Sequence, residues 1–345
     1  MIDTIVIGAG QAGLSAGYYL RKLKKDFLIL DKGEEIGESW KKRYDSLVLF
    51  TPRMYDYLPG LPLEGEQHGF PTKNEIVNYL KQYAEKFNFP IKLQIEVVSV
   101  QHRENIFIIE TNQGLYKSKN LIIATGALQT PRIPPISKEL SKDIKQYHSS
   151  HYKNPSQLTE GNVLVVGGGN SGAQIAVELS KTTETYLAVS KKLFYLPLVI
   201  KNKSIFWWFD RLGILKASSD SLLGKVIKRK GDPIFGYELK EAIKRNDVLV
   251  KPKVINGIDN QVTFEDLTSL EVQNIIWATG FNTIYPWLKI KEVFNEKGEI
   301  IHTRGVSNIK GLYFIGLPWQ SRHGSSILQG VGYDAKYIVN HLENT

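Results

Sequence analysis

The chain has no cysteine among its 345 residues. That excludes disulfide scaffolding, Cys-ligated zinc, iron–sulfur centres and any mechanism that relays electrons through a dithiol. Long apolar runs are missing too: nothing approaches the ~18 residues that a membrane span needs. A strand-like run begins at about residue 3, which leaves no room for a signal peptide, so a cytoplasmic location is expected. There are no low-complexity tracts and no short-period repeats. Acids are in deficit, 35 against 44 Lys and Arg, for a net charge of +9. A positive field of this kind suits anionic small molecules. The basic clusters at 21–25, 41–43 and 228–230 are dispersed, with no nucleic-acid module around them. They read as solvated faces, and the first falls where a helix C-terminus is expected. Neither a nucleic-acid partner nor a metal site is expected.

What the chain does have is a pair of glycine fingerprints 159 residues apart, Gly8-Ala9-Gly10-Gln11-Ala12-Gly13 and Gly167-Gly168-Gly169-Asn170-Ser171-Gly172. Each follows a short apolar run, Thr4-Ile5-Val6-Ile7 or Val163-Leu164-Val165-Val166, and opens a helix-like segment. In such a strand–turn–helix unit the first glycine makes the tight turn, the second lets backbone approach a pyrophosphate, and the third lets helix pack on strand. The pyrophosphate then rests on unpaired N–H groups at the positive end of the helix dipole. Two copies predict two dinucleotides.

The two sites differ at the end of the following strand. Asp31 stands 23 positions beyond Gly8, where a carboxylate accepts hydrogen bonds from ribose hydroxyls. The same offset from Gly167 reaches Ser190, followed by Lys191 and Lys192. No acid is there to repel a 2′-phosphate, and two ammonium groups are available to bind one. The first site is therefore read as FAD and the second as NADPH, with NADH use left open.

A second internal echo is Ala124-Thr125-Gly126 and Ala278-Thr279-Gly280, each ending an apolar strand. Such strands are expected to cross between two domains and to bring backbone close to a cofactor. The coarse reading places helices at 12–23 and 74–87, an extended stretch at 47–50, and strands near 95–100, 107–111 and 121–124. A return strand at 311–316, carrying Gly316, and a final helix at about 327–342 complete the first unit. The N-terminus of that last helix is expected at the flavin O2/N1 edge, with Gln329 as a hydrogen-bonding residue. The fold class that follows is α/β, with two Rossmann-like dinucleotide-binding domains: an FAD domain at 1–155 and 283–345, and an NADPH domain at 156–282 inserted into it.

With these residues in hand, the chain resembles the flavin-containing monooxygenase superfamily, closest to its small bacterial, cation-efflux-associated branch. The resemblance runs through Glu38-Ser39-Trp40, Leu49-Phe50-Thr51-Pro52, His148-Ser149-Ser150, Phe206-Trp207-Trp208-Phe209-Asp210-Arg211, Trp277 to Phe281, and Gly316-Leu317-Pro318-Trp319. It implies that NADPH reduces FAD and that reduced flavin captures O2 as a C4a-hydroperoxide. This then oxygenates a small amine, sulfide or ketone, with NADP⁺ held over the flavin and water kept out. Lys32, Trp40, Thr51 and Val98 join the residues expected around FAD. Two departures are visible. Only the second half of the family's F-x-G-x-x-x-H-x-x-x-[FY] motif is met, because Lys142 and Ile144 precede His148 and Tyr152. Pro52 stands where many members place an Asn after the Thr, and proline offers neither an amide side chain nor an N–H. Two alternatives follow: a reductase or oxidase passing electrons to O2, a quinone or a carrier, and a redox-sensing accessory partner of a membrane transporter. A homodimer is also open. No side chain is assigned a catalytic role, although one of Gln320, Arg322 and His323 is expected to touch substrate or NADP⁺. The aromatic run at 205–209 reads as a funnel lining, a membrane contact or, with more weight, packing.

Overall fold

The computed structural model of the protein describes residues 1–344. The chain starts with β1 (Ile2–Ile7), whose last four residues are fully apolar or buried. The helix α1 (Gln11–Lys22) follows at once and buries small residues, Ala12, Gly13, Ala16 and Gly17, so that it lies close to the sheet. Arg21 and Lys22 in its last turn complement the helix dipole. β2 (Phe27–Leu30) pairs parallel with β1. The helix Lys73–Lys86 has a capping box between Thr72 and Glu75, which satisfies donors at its N-terminus from its own sequence. An antiparallel meander, Val97–Arg103 and Ile106–Thr111, leads into β3 (Gly114–Ile123), which returns to pair parallel with β1.

The second sheet is built from β4 (Lys145–His148), β5 (Val163–Val166), β6 (Thr185–Ala188), β7 (Val248–Lys251) and β8 (Asn274–Trp277), with α2 (Asn170–Leu179) between β5 and β6. Its order is β7-β6-β5-β8-β4, all parallel. The chain then comes back through β9 (Leu312–Phe314), which pairs parallel with β3, and ends in α3 (Leu328–Glu343). The central part of the first sheet thus reads β9-β3-β1-β2 followed by Ile91–Lys92. Both sheets have a glycine-loop strand at the centre, as a doubly wound sheet requires.

Each unit has its own core. Leu14 and Leu20 of α1 cluster with Val331, Ile338 and Val339 of α3, while Val163, Val165, Ile175, Leu179 and Ile276 make the core of the second. Three sequence expectations change in detail. The stretch at 47–50 makes a single bridge, Val48 to Thr72, rather than a strand. The strand expected from 95 starts at Val97 and extends to Arg103. Residues 145–148, read with the first unit, are the edge strand of the second sheet, because β8 offers them a free parallel edge. Among the described residues no helix is long and apolar enough to cross a membrane.

Candidate functional site

The site is two copies of one backbone arrangement. Gly8 has φ +108°, and a Cβ placed there would lie 2.6 Å from the carbonyl oxygen of Ala124. Gly167 has φ +120°, and its Cβ would lie 2.3 Å from the carbonyl oxygen of Ala278. Only glycine meets both the left-handed turn and the close approach. The third glycines repeat the match: a Cβ on Gly13 would be 1.8 Å from the Gly8 oxygen, and one on Gly172 would be 1.9 Å from the Gly167 oxygen. The middle glycines are different. A Cβ on Gly10 or Gly169 would meet nothing within 4 Å. Each therefore faces open space at the start of its helix, and neither α1 nor α2 has a side-chain cap. Free N–H donors, open space and a dipole pointing into it fit a pyrophosphate at both places.

The Ala-Thr-Gly segments meet these loops. Ala124 and Ala278 donate their N–H groups to Ile7 and Val166, which locks each segment beside its glycine turn. Thr125 Oγ1 and the Gly126 carbonyl both accept from Gln129 Nε2, at 3.0 and 2.8 Å. The Thr279 carbonyl accepts from Arg132 Nε at 2.9 Å, and the Thr279 hydroxyl donates back to the Arg132 carbonyl. Beyond them Thr130–Pro131 pairs antiparallel with Phe281–Asn282, so the outgoing and returning crossovers are laced together. His148 belongs to this lacing. Its Nε2 donates to the Gly280 carbonyl at 2.9 Å and its Nδ1 accepts from the Ser150 N–H at 3.2 Å. Burial lowers its pKa and keeps it neutral. Tyr152, the other matched motif residue, is buried and donates to Glu178 at 2.9 Å. Both pack within the second unit, His148 against the turn that follows β8 and Tyr152 against α2.

After the loops the two halves diverge. The Asp31 carboxylate accepts from the Ala9 N–H at 2.6 Å and the Gly33 N–H at 2.7 Å, closing the first loop on the end of β2. Ser190, Lys191 and Lys192 are all exposed at the corresponding place. Around the first loop Trp40 donates to Gln11 Oε1 at 3.0 Å, and Gln11 Nε2 donates to the Ser326 carbonyl at 3.2 Å. This chain ties α1 to the segment that enters α3. Gly316 arrives against Ala12, 3.1 Å from where its Cβ would be, and Gln329 lies in the first turn of α3, which also lacks a side-chain cap. Lys32 is exposed. Val98 is exposed at a bulge in its strand, and the backbone contact to Asp31 is made by Ile95, whose N–H donates to the Asp31 carbonyl at 2.8 Å.

Asn170 faces inwards: its amide donates to the Pro233 carbonyl and accepts from the Phe235 N–H, at 2.9 and 3.0 Å. Its side chain holds the second loop against the strand Ile234–Phe235. Ser171 stays exposed at the first turn of α2. Thr51 is buried and its hydroxyl lies 2.6 Å from Asp56 Oδ1. Burial pushes the Asp56 carboxyl well above its ordinary range. Next to them Phe50 stacks on Phe235 at 4.7 Å and on Phe206 at 6.0 Å, so Phe206 is the member of the aromatic run that packs between the two units, while Trp207 and Trp208 stay half-buried. Gln320 is buried and bonded to the backbone at Phe314 and Leu317. Arg322 lies over Tyr333 at 4.4 Å, and His323 pairs with Asp232 at 3.1 Å, holding Asp232 below its usual pKa. The Gln11–Trp40 link and the His323–Asp232 pair were not anticipated from sequence, since no local pattern marks either one.

Comparison with known proteins agrees with this geometry. The family model described as pyridine nucleotide-disulphide oxidoreductase matches residues 5–193. The chain is 62% identical over 342 residues to an uncharacterized oxidoreductase, CzcO, of Bacillus subtilis (strain 168), covering 99% of both chains. It is 28% identical to the probable indole-3-pyruvate monooxygenase YUCCA4 of Arabidopsis thaliana, over 98% of this chain and 89% of that one. Among solved structures, a flavin-containing monooxygenase from Stenotrophomonas maltophilia superposes with a TM-score of 0.84 at 26% identity, covering 99% of this chain and 98% of its own.

Proposed function

Since the chain belongs to the pyridine nucleotide-disulphide oxidoreductase family, on its flavin-containing monooxygenase side, we propose that it is an FAD-dependent NADPH oxidoreductase that oxygenates a small amine, sulfide or ketone. The observation that carries this reading is the pair of open spaces over Gly10 and Gly169, each at an uncapped helix N-terminus. The first, closed by Asp31, holds the FAD pyrophosphate and ribose. The second, followed by Lys191 and Lys192, holds NADPH with its 2′-phosphate on the lysines. When bound, FAD supplies two-electron acceptance from NADPH and activation of O2. With no cysteine in the chain, a dithiol relay of the kind the family's name suggests is excluded.

The chain's own residues orient and enclose. Gln11, Trp40 and the Ser326 carbonyl keep the first loop and the α3 N-terminus in fixed relation. The α3 dipole then favours negative charge at its end, which is what a reduced flavin ring presents. Phe50, Phe206 and Phe235 exclude water between the units. With both cofactors bound, these residues would contribute positioning, since a hydride passing between the two rings would need no acid or base from the chain.

A second reading has its own support. Thr51 Oγ1 is committed to Asp56, and Pro52 offers no donor. A flavin beside such a segment has less to sustain oxygen transfer, which favours a reductase or oxidase that releases peroxide. One experiment separates the two. Purified protein is reduced anaerobically with NADPH and mixed with O2 in the presence of a sulfide or a cyclic ketone, and product and peroxide are both counted. One oxygenated product per NADPH establishes the monooxygenase. One peroxide per NADPH with no product establishes the oxidase.

A further inference from the structure

Charge in this chain is concentrated in one segment. Between 194 and 230 the sequence carries eight Lys and Arg against two acids, Asp210 and Asp220, so 37 residues hold +6 of the chain's +9. Lys191 and Lys192, assigned to a cofactor above, lie outside this count. The helix Leu222–Lys230 closes the segment. A surface helix ordinarily turns its apolar stripe towards the core. Here the one buried residue is Gly224, where a Cβ would sit 2.0 Å from the Ser218 carbonyl oxygen. The aliphatic residues are left in solvent: Leu222 is 86% exposed, Leu223 45% and Val226 52%. Lys225, Lys228, Arg229 and Lys230 accompany them, and among the described residues none of these four makes an ion pair. The helix itself contains no acid.

We propose that the helix Leu222–Lys230 docks this protein on an anionic lipid bilayer surface. Leucines and valine beside unpaired cations are the composition of a helix that lies in the interfacial plane, its aliphatic side entering the acyl boundary and its cations meeting lipid phosphates. Nine residues measure about 14 Å, which suits lying on a bilayer and not crossing it. A nucleic acid would use the cations and leave the leucines without a role. Just before the helix, Leu212 is 69% exposed and Arg211 covers the Trp207 ring at 5.1 Å, adding the aromatic and aliphatic groups that interfaces favour. From sequence, 228–230 reads as a solvated face, with surface binding by this helix as the lesser alternative; the exposed aliphatics beside the cations are what favour the second reading.

The test is flotation of the full-length protein with phosphatidylcholine vesicles, with and without phosphatidylglycerol, at low and high salt. Binding only to phosphatidylglycerol vesicles, weakened by salt, is expected. The triple variant Lys228→Ala/Arg229→Ala/Lys230→Ala is expected to bind about 100-fold more weakly. The variant Leu222→Ser/Val226→Ser is expected to lose about 10-fold or more at unchanged charge. All substituted positions are exposed, so NADPH oxidation and thermal unfolding serve as controls for folding. Binding that is indifferent to the aliphatic variant reduces the helix to a generic basic patch and overturns the proposal. So does retention of duplex DNA in place of vesicles.

Discussion

The two glycine loops obey the same steric rules to within a few tenths of an ångström, yet they end differently. Gly8 and Gly13 are matched by Gly167 and Gly172, and Ala124 is matched by Ala278. The first loop is then sealed by a carboxylate that holds the Ala9 N–H of the loop and the Gly33 N–H beyond β2, while the second opens onto two exposed lysines. The turn geometry is therefore shared, and the two halves part only after the next strand, at Asp31 in one and at Ser190, Lys191 and Lys192 in the other.

The comparison breaks most visibly at the middle glycines. Gly10→Val and Gly169→Val place a side chain in space that is otherwise open, so both chains are expected to fold. Gly10→Val should purify colourless, an FAD affinity loss of about 1000-fold for some three phosphate contacts. Gly169→Val should stay yellow but no longer be reduced by NADPH. A yellow, FAD-loaded Gly10→Val would refute the assignment of the first loop. Next in size, Gly13→Ala and Gly172→Ala each force a helix away from its strand, at about 3 kcal/mol. Calorimetry should show each lowering the unfolding of its own unit.

A smaller effect sharpens the difference between the halves. Lys191→Ala should raise the KM for NADPH about tenfold, equivalent to about 1.4 kcal/mol, while NADH use stays nearly unchanged. Equal loss with both cofactors would remove the lysine from the 2′-phosphate. The smallest effect concerns pH. Burial lowers the pKa of His148 in the folded chain, so the unfolded chain takes up the proton first. Its stabilisation is then complete above the ordinary value of 6.5 and is lost as pH falls from there towards the folded value. His148→Gln should flatten the pH dependence of the melting temperature across that window, by no more than one proton's slope.

Much of this site was legible because it is local. A glycine turn, a strand-end acid and an Ala-Thr-Gly echo are each written in consecutive residues and enforced by backbone sterics. The parts that were not legible depend on distant partners. Asn170 looks like a loop residue until Pro233 and Phe235 are placed against it. Val98 was expected beside the cofactor, but it is exposed in its strand, and the residue that meets the Asp31 backbone is Ile95, just ahead of that strand. The assignment of 145–148 to the second sheet required knowing that β8 had an open edge.

That borrowed strand also sets a timetable. The second sheet is complete once Trp277 has been synthesised, whereas the first waits for β9 at 312–314 and for α3 behind it. From the end of β3 at Ile123 to β9, a ribosome adding roughly 5–20 residues per second needs on the order of 10–40 s. During that interval the N-terminal half is an open sheet whose β3 edge is unpaired over 121–123, while the later-made unit can already close. This molecule is therefore expected to mature from the middle outwards, and loss of the last few dozen codons would leave an intact centre flanked by an unfinished beginning.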